Sequence, residues 1–506
     1  MWLVFVAAAV YGAGYGQQRV FDIRDYGARA GAGSNTLFIQ RAIDAAALAG
    51  GGRVRVPAGS FVTGVVTLKS GVELYLSEGA TLLASTKRID YGAGDASALI
   101  VADGQHRIAV TGEGTIDGRA ADLLKDVYRM LEAGTLQDPE WNVPNPWHQM
   151  RPSEGNRPKL IELGRCDSVQ IKGITLRNGL CWIQNYRACS NLIIDSVIVE
   201  SNAYWNNDGI DITDCRKVRV THCRINAADD GICLKSEDRN SRCEDIYIGH
   251  CSVRSSASAV KFGTASRGGF KNIVVQDITV YDTYRSAIAL ECVDGGVMEH
   301  IYVKNIRARN TGNALFIRLG HRNRDSLTGS LRDVYIGDIE AAVPAGKPDK
   351  GYPMEGPALR YPHNVFPASI TGLPGLPVKE VVLENIRVTY EGGASRDTAY
   401  VAIDTLARIT ENTAGYPEFS MFGELPAWGL YVRHAEGVQI KNLVLRSEKG
   451  DFRAACIFDD VKRLAVDGLT IPAGTELPAL LLNNTPSPVM KRLQLPAGDD
   501  KAIRIQ

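Results

Sequence analysis

Residues 166–176 read CDSVQIKGITL, and the pattern returns as CSNLIIDSVIV from Cys189, CRKVRVTHCRI from Cys215 and CEDIYIGHCSV from Cys243. It continues as GGFKNIVVQDITV from Gly268, VMEHIYVKNIRA from Val297 and LRDVYIGDIEA from Leu331. Later copies are VKEVVLENIRV from Val378, EGVQIKNLVL from Glu436 and KRLAVDGLTI from Lys462. Each copy alternates apolar and polar residues, turns at Asn, Asp or Gly, and begins a second short strand. Period-two alternation marks a strand, whereas an amphipathic helix repeats near 3.6. Between Cys166 and Leu331 the copies recur roughly every 23–34 residues, a repeat-protein spacing. A unit of short strands cannot bury its apolar face until a neighbour stacks on it, which predicts a parallel β-helix. The expected class is all-β, a single-stranded right-handed solenoid over residues 20–506. Leucine-rich and helical solenoids fit less well, because no copy holds a 3.6-period segment.

Stacked coils align equivalent positions in columns. Cys166, Cys189, Cys215 and Cys243 form one, and Cys223 and Cys251 another. Without any CxxC pair among the ten cysteines, they read as small buried hydrophobes rather than metal ligands or a disulfide scaffold. Upstream, Ser34 or Asn35 is placed to cap a helix through about Ala47, with the Gly50–Gly52 run ending it. Such a helix would cover the free edge of the first coil, and LYLSEGATL from Leu74 would start the coils. Three long gaps, near 119–159, 342–377 and 397–428, read as loop insertions. Their aromatics (Trp141 with PNPWHQM, GYPMEGPALRYPHNVFP, GYPEFSMFGELPAW) suit binding walls.

Composition narrows the function classes. Lys+Arg and Asp+Glu both number 57, so the basic excess usual in nucleic-acid binders is absent. Met1–Ala13, MWLVFVAAAVYGA, reads as the apolar core of a signal peptide cleaved near Ala13 or Gly16, with a buried first strand as the alternative. Residues 1–16 are thus an expected leader, and the product is expected to be secreted or periplasmic. No later stretch approaches ~18 uncharged apolar residues, so no membrane span is expected. The oligomeric state is not legible.

The chemistry concentrates in two adjacent coils, WNNDGIDITDC (Trp205–Cys215) and ADDGICLKS (Ala228–Ser236). Asp208 and Asp229 lie about one coil apart, which would bring Asp208, Asp229 and Asp230 together on rungs spaced by about 4.8 Å. Clustered carboxylates repel, so at least one should keep its proton near neutral pH. Acid–base cleavage needs that split: one group protonates a leaving oxygen while an ionised one activates water. The bland reading is turn chemistry, since Asn-Asp and Asp-Gly are common turn formers. Two such motifs one coil apart, both followed by Gly-Ile, favour the catalytic reading.

These residues resemble the polygalacturonase-like glycoside hydrolases, family 28, and the resemblance runs from the Phe21–Gly64 opening through the last coils. The family pattern is Asn-Thr-Asp, then Asp-Asp, Gly-His-Gly and Arg-Ile-Lys. It implies an inverting hydrolase of a pectin-related carbohydrate, with no cofactor or metal. Asp229 would be the general acid, and Asp208 and Asp230 would hold and activate the water. Departures follow. Asn207 stands for the family's Thr. The Gly-His-Gly site falls on Ser256, Ala257 and Ser258, and the Arg-Ile-Lys site on Ala289, Leu290 and Glu291. Asn206, Lys261, Glu291 and Arg318 are therefore the expected substrate-binding residues, with Lys261 and Arg318 as stand-in cations and a Lys261–Glu291 ion pair between successive coils. The lost cation pair argues for rhamnogalacturonan fragments or a neutral sugar at the cleavage point, and the insertions for exo-action. Two alternatives stay open: a lyase using Lys261 as base with Ca²⁺ on the acids, and a non-catalytic carbohydrate-binding or adhesin-like β-helix.

Overall fold

A computed structural model describes residues 19–144, 150–397, 401–472, 478–496 and 502–506. The expected leader, residues 1–16, lies outside the described residues, as does most of the PNPWHQM run. Strands dominate, and among the described residues every strand pair is parallel, giving a right-handed parallel β-helix. The repeats align in register: Asp167 sits beside Ser190, Ser190 beside Arg216, Arg216 beside Glu244 and Glu244 beside Lys271. Inward positions stack like on like, as in the column Ile210, Ile232, Val260, Ile288 and Leu315, each at most 4% exposed. Burial of these columns is the main favourable term, each side chain contributing about 1.5–3 kcal/mol.

At one recurring corner, a residue of each successive coil enters the left-handed region. Ser196, His222, His250, Asp277, Asn305 and Asp338 have φ between 53° and 57°. Asn, Asp and His tolerate that region best, which is why the repeats turn at such residues. All ten cysteines are buried and unpaired; Cys189 N–H donates to Cys215 Sγ at 3.2 Å, so the cysteine column lies inside the wall of the solenoid.

The cap helix runs Thr36–Leu48 and buries Ile39, Ala42, Ile43 and Ala46. Its N-cap is Asn35, whose side chain makes no capping bond but accepts from Arg29 N at 2.8 Å. The coils start earlier than Leu74: Val20–Asp22 already pairs with Gly52–Val56, which pairs with Val72–Leu76. The insertions also differ from plain loops. The first folds into a helix, Ala120–Glu132, that packs Leu123, Val127 and Leu131. The second contains Ala368–Thr371, a core strand beside Phe316–Arg318, and the third ends where Ala427–Ser447 begins. The boundary of the second insertion overran because a four-residue strand carries too little alternation to register.

Candidate active site

Strands Ile210–Thr213, Ile232–Ser236 and Val260–Ser266 lie side by side and carry the candidate residues. The chain enters the first two through Asp-Gly. Gly209 N–H donates to Asp230 O (2.9 Å) and Gly231 N–H to Ser258 O (2.8 Å), so Asp208 stacks on Asp230, with Asp229 just before it. Glycine is required here for close approach. A Cβ on Gly231 would lie 2.3 Å from Val253 Cγ1 and 2.7 Å from Ala259 O, and one on Gly209 would lie 2.5 Å from Gly231 O. The shared Gly-Ile that marked both motifs thus serves packing.

Asp208, Asp229 and Asp230 line one cavity of about 290 Å³, together with Asn206, Lys261, Trp182, Trp205, Lys235, Arg285 and Tyr416. Asp230 is nearly buried; its Oδ2 accepts from Lys261 Nζ (2.9 Å) and its Oδ1 from Ser258 N (3.1 Å). Asp229 Oδ1 accepts from Asp230 N at 2.9 Å. Asp208 Oδ2 is 3.2 Å from Lys235 Nζ, which also contacts Asp211 Oδ1.

These surroundings separate the carboxyls' proton affinities. Burial, then Asp208 and Asp230, push Asp229 up to about 7. Burial also works to raise Asp230, but Lys261, Arg285 and Lys235 more than offset it and hold Asp230 below the usual range. Burial, followed by Asp211, pushes Asp208 well above that range against the pull of Lys235. One carboxyl therefore carries a proton near neutral pH beside one that stays ionised. Asp208, expected as a second ionised base, is thus the carboxyl on which burial and Asp211 work against Lys235.

The expected substrate-binding residues divide. Asn206 lines the cavity, its Oδ1 held by Arg157 Nη2 at 2.7 Å. Lys261 lines it too, but its ammonium bridges Asp230, Tyr416 Oη (3.0 Å) and Glu291 (3.9 Å). Glu291 sits behind Lys261 without lining the cavity; burial pushes it up to about 7 while Lys261 opposes. Arg318 is a correction. It lies one coil beyond Glu291, fully buried, and donates to the carbonyls of Gly372 (2.9 Å) and Glu411 (2.6 Å). Its charge anchors the third insertion and never reaches the cavity.

Other residues of the site escaped the sequence reading. Asp211 and Lys235 share outward strand parity with Cys233 and Lys261, a signal present but not followed. Arg285 pairs with Glu418 at 3.1 Å. Tyr416 comes from the third insertion, Met354 to Pro357 from the second and Arg151 and Glu154 from the first. Ser256 Oγ, at the position of the missing histidine motif, donates to Met354 O (2.7 Å) and ties the second insertion to the site.

Asp208, Asp230 and Cys233 bring three ligand-type atoms within 4.8 Å of one another. Lys235 on Asp208 and Lys261 on Asp230 already supply the positive charge a divalent ion would bring, so the set fits such an ion poorly.

The family described as glycosyl hydrolases family 28 matches residues 50–342. The chain is 25% identical over 304 residues to a probable polygalacturonase of Vitis vinifera, covering 57% of this chain and 52% of that relative. It is 24% identical over 355 residues to an exo-poly-alpha-D-galacturonosidase of Dickeya chrysanthemi, covering 61% and 58%. The chain thus spans little more than half the length of these two curated relatives. An exopolygalacturonase structure from Thermotoga maritima superposes with a TM-score of 0.61 at 21% identity, over 85% of this chain and 92% of that one. At that identity the likeness is one of fold.

Proposed function

The chain belongs to glycosyl hydrolases family 28, and from that premise we propose that it hydrolyses glycosidic bonds of a pectin-related poly- or oligosaccharide with inversion at the anomeric carbon. The observation that carries the reading is the split within one cavity: Asp229 holds a proton up to about 7 while Asp230 stays ionised. Asp229 protonates the leaving oxygen as the glycosidic bond breaks. The Asp208–Asp230 pair binds a water and takes its proton as the water oxygen attacks the anomeric carbon. Trp182, Trp205 and Tyr416 supply aromatic surface of the kind that sugar rings stack on.

Charge supports a neutral sugar at the reacting position, as in rhamnogalacturonan, over a uronate there. Lys235, Lys261 and Arg285 are each tied to protein carboxylates, so a substrate carboxylate would compete with Asp208, Asp230 or Glu418 for them. Walls contributed by all three insertions support exo-action on short chains. Elimination has less support. Burial lowers the proton affinity of Lys261, but Asp230, Tyr416 and Glu291 outweigh it and keep the ammonium protonated, which is the wrong state for a base.

The test is digestion of defined homogalacturonan and rhamnogalacturonan oligosaccharides. Expected are saturated products released from one chain end, with the first-formed anomer inverted by NMR. A retained anomer refutes single displacement, ultraviolet-absorbing unsaturated products indicate a lyase, and binding without cleavage across the panel overturns the enzyme reading.

A further inference from the structure

The cavity contains a second ionic group that the proposed roles leave unused. Lys235 projects from Ile232–Ser236 between two carboxylates of the preceding coil, Asp208 and Asp211. Side-chain exposure is 12% for Lys235, 6% for Asp208 and none for Asp211. One ammonium thus serves two buried carboxylates three residues apart. Its position is fixed further by the Trp182 ring, whose centroid lies 3.9 Å from Nζ. Asp208 Oδ1 and Asp211 Oδ2 are both buried without a hydrogen-bonding partner, so Lys235 is the group that decides how the negative charge divides. Asp208 and Lys235 line the cavity; Asp211 does not.

We propose that Lys235 and Asp211 are opposed positioning residues that set the orientation and charge of Asp208, Lys235 favouring its ionised form and Asp211 its protonated form. This rests on the hydrolase reading above. The charged groups facing Asp208 are Asp211 from the strand that follows it, Lys235, Asp229 and Asp230 from the next coil, and Glu154 from the first insertion. Asp211 also faces Asp229 and Asp230, and Lys235 also faces the Cys233 thiol. Of these, Lys235 alone stabilises the Asp208 carboxylate at hydrogen-bond range. Asp211 is the like-charged competitor for that same ammonium, itself pushed by burial up to about 6 despite Lys235. A charge within a few ångströms moves a carboxyl titration by about one to three pH units, with a sign set by that charge.

The two residues therefore predict opposite effects. Asp208 must be ionised to take a proton from water, so raising its proton affinity moves the acid limb of kcat/KM to higher pH. Lys235→Met removes the stabilising charge and should move that limb up by about one to three pH units, roughly a tenfold loss per unit at a fixed acidic pH. Asp211→Asn keeps the shape, frees Lys235 for Asp208 and should move the limb down. Lys235→Arg should restore most of the wild-type profile.

The experiment pairs these pH–rate profiles with carbon-13 titration of aspartate carboxyls in labelled protein, the Asp208 resonance being identified by its loss in Asp208→Asn. Expected is an upward-shifted Asp208 titration in Lys235→Met and a downward-shifted one in Asp211→Asn. Shifts in the same direction, or an unmoved Asp208 titration, overturn the proposal. If no glycan is turned over, the hydrolase reading fails while the carboxyl titration still decides this one. If Lys235→Met does not fold, the isosteric Asp211→Asn carries the test alone.

Discussion

Replacing Asp229 by Asn separates its chemical role from its structural cost. The side chain is buried enough that its carboxyl is held at about 7 rather than 3.8, burial being the largest cause and Asp208 and Asp230 the next. A folded-state value above the unfolded one means that the native protein binds the proton more tightly. The associated stability is fully present below about pH 4 and lost as pH rises through 7. At roughly 1.4 kcal/mol per pH unit, the loss amounts to about 4 kcal/mol. Asp229 is partly open to the cavity, and solvent screening makes that figure an upper bound. Asparagine retains an oxygen to accept from Asp230 N, now at 2.9 Å, but carries no charge to repel its neighbours. The variant should therefore lose about 10²–10⁴-fold in kcat, the range for a general acid, while gaining stability over the wild type as pH rises from 5 to 8. Oligosaccharide hydrolysis and urea unfolding at both pH values measure the two effects. Turnover within tenfold of wild type refutes the assignment of Asp229 as acid. A stability difference that does not grow with pH refutes the electrostatic account.

Three further perturbations test the framework around the acids. Lys261→Met strands Asp230 and Glu291, whose side chains are 4% and 2% exposed; urea unfolding at pH 7 should show a loss of about 3–5 kcal/mol that shrinks at low pH as these acids protonate. An unchanged midpoint would contradict the pairing. Arg318→Met leaves the Gly372 and Glu411 carbonyls unsatisfied, so limited proteolysis should cut the 409–422 segment faster and stability should fall by about 1–3 kcal/mol; wild-type cleavage kinetics would restore Arg318 as a substrate-binding candidate. Gly231→Ala forces a Cβ against Val253 and Ala259 O and should cost about 1–3 kcal/mol in thermal unfolding through overpacking, and an unaffected melting temperature would show that the coils have room there.

The legible parts of the site were those governed by strand parity. The alignment of Asp208 with the Asp-Asp pair and the Lys261–Glu291 contact both follow from counting residues per coil. The count put Asp208 and Asp229 about one coil apart without fixing which acid faces Asp208; the backbone stacks it on Asp230, because one residue of offset is invisible when coil lengths vary. Arg318 misled for a related reason: parity put it in the correct column, but the column there is covered by Glu411 and its neighbours. Asp211 and Lys235 were readable by parity and were obscured by the more conspicuous Asp-Asp motif.

The sequence by itself determined the solenoid, the order of its coils and the presence of three acids within one face. Those properties depend on local alternation and on turn residues that repeat with the backbone. Tertiary structure alone decided the protonation of those acids and the walls around them. Tyr416 meets Lys261 across 155 residues of chain and Met354 meets Ser256 across 98, contacts made by insertions that obey no period. The division of charge among Asp208, Asp211, Asp229 and Asp230 depends on burial and on two lysines within a few ångströms. Proton affinity responds to distance and desolvation, and neither is written in residue order.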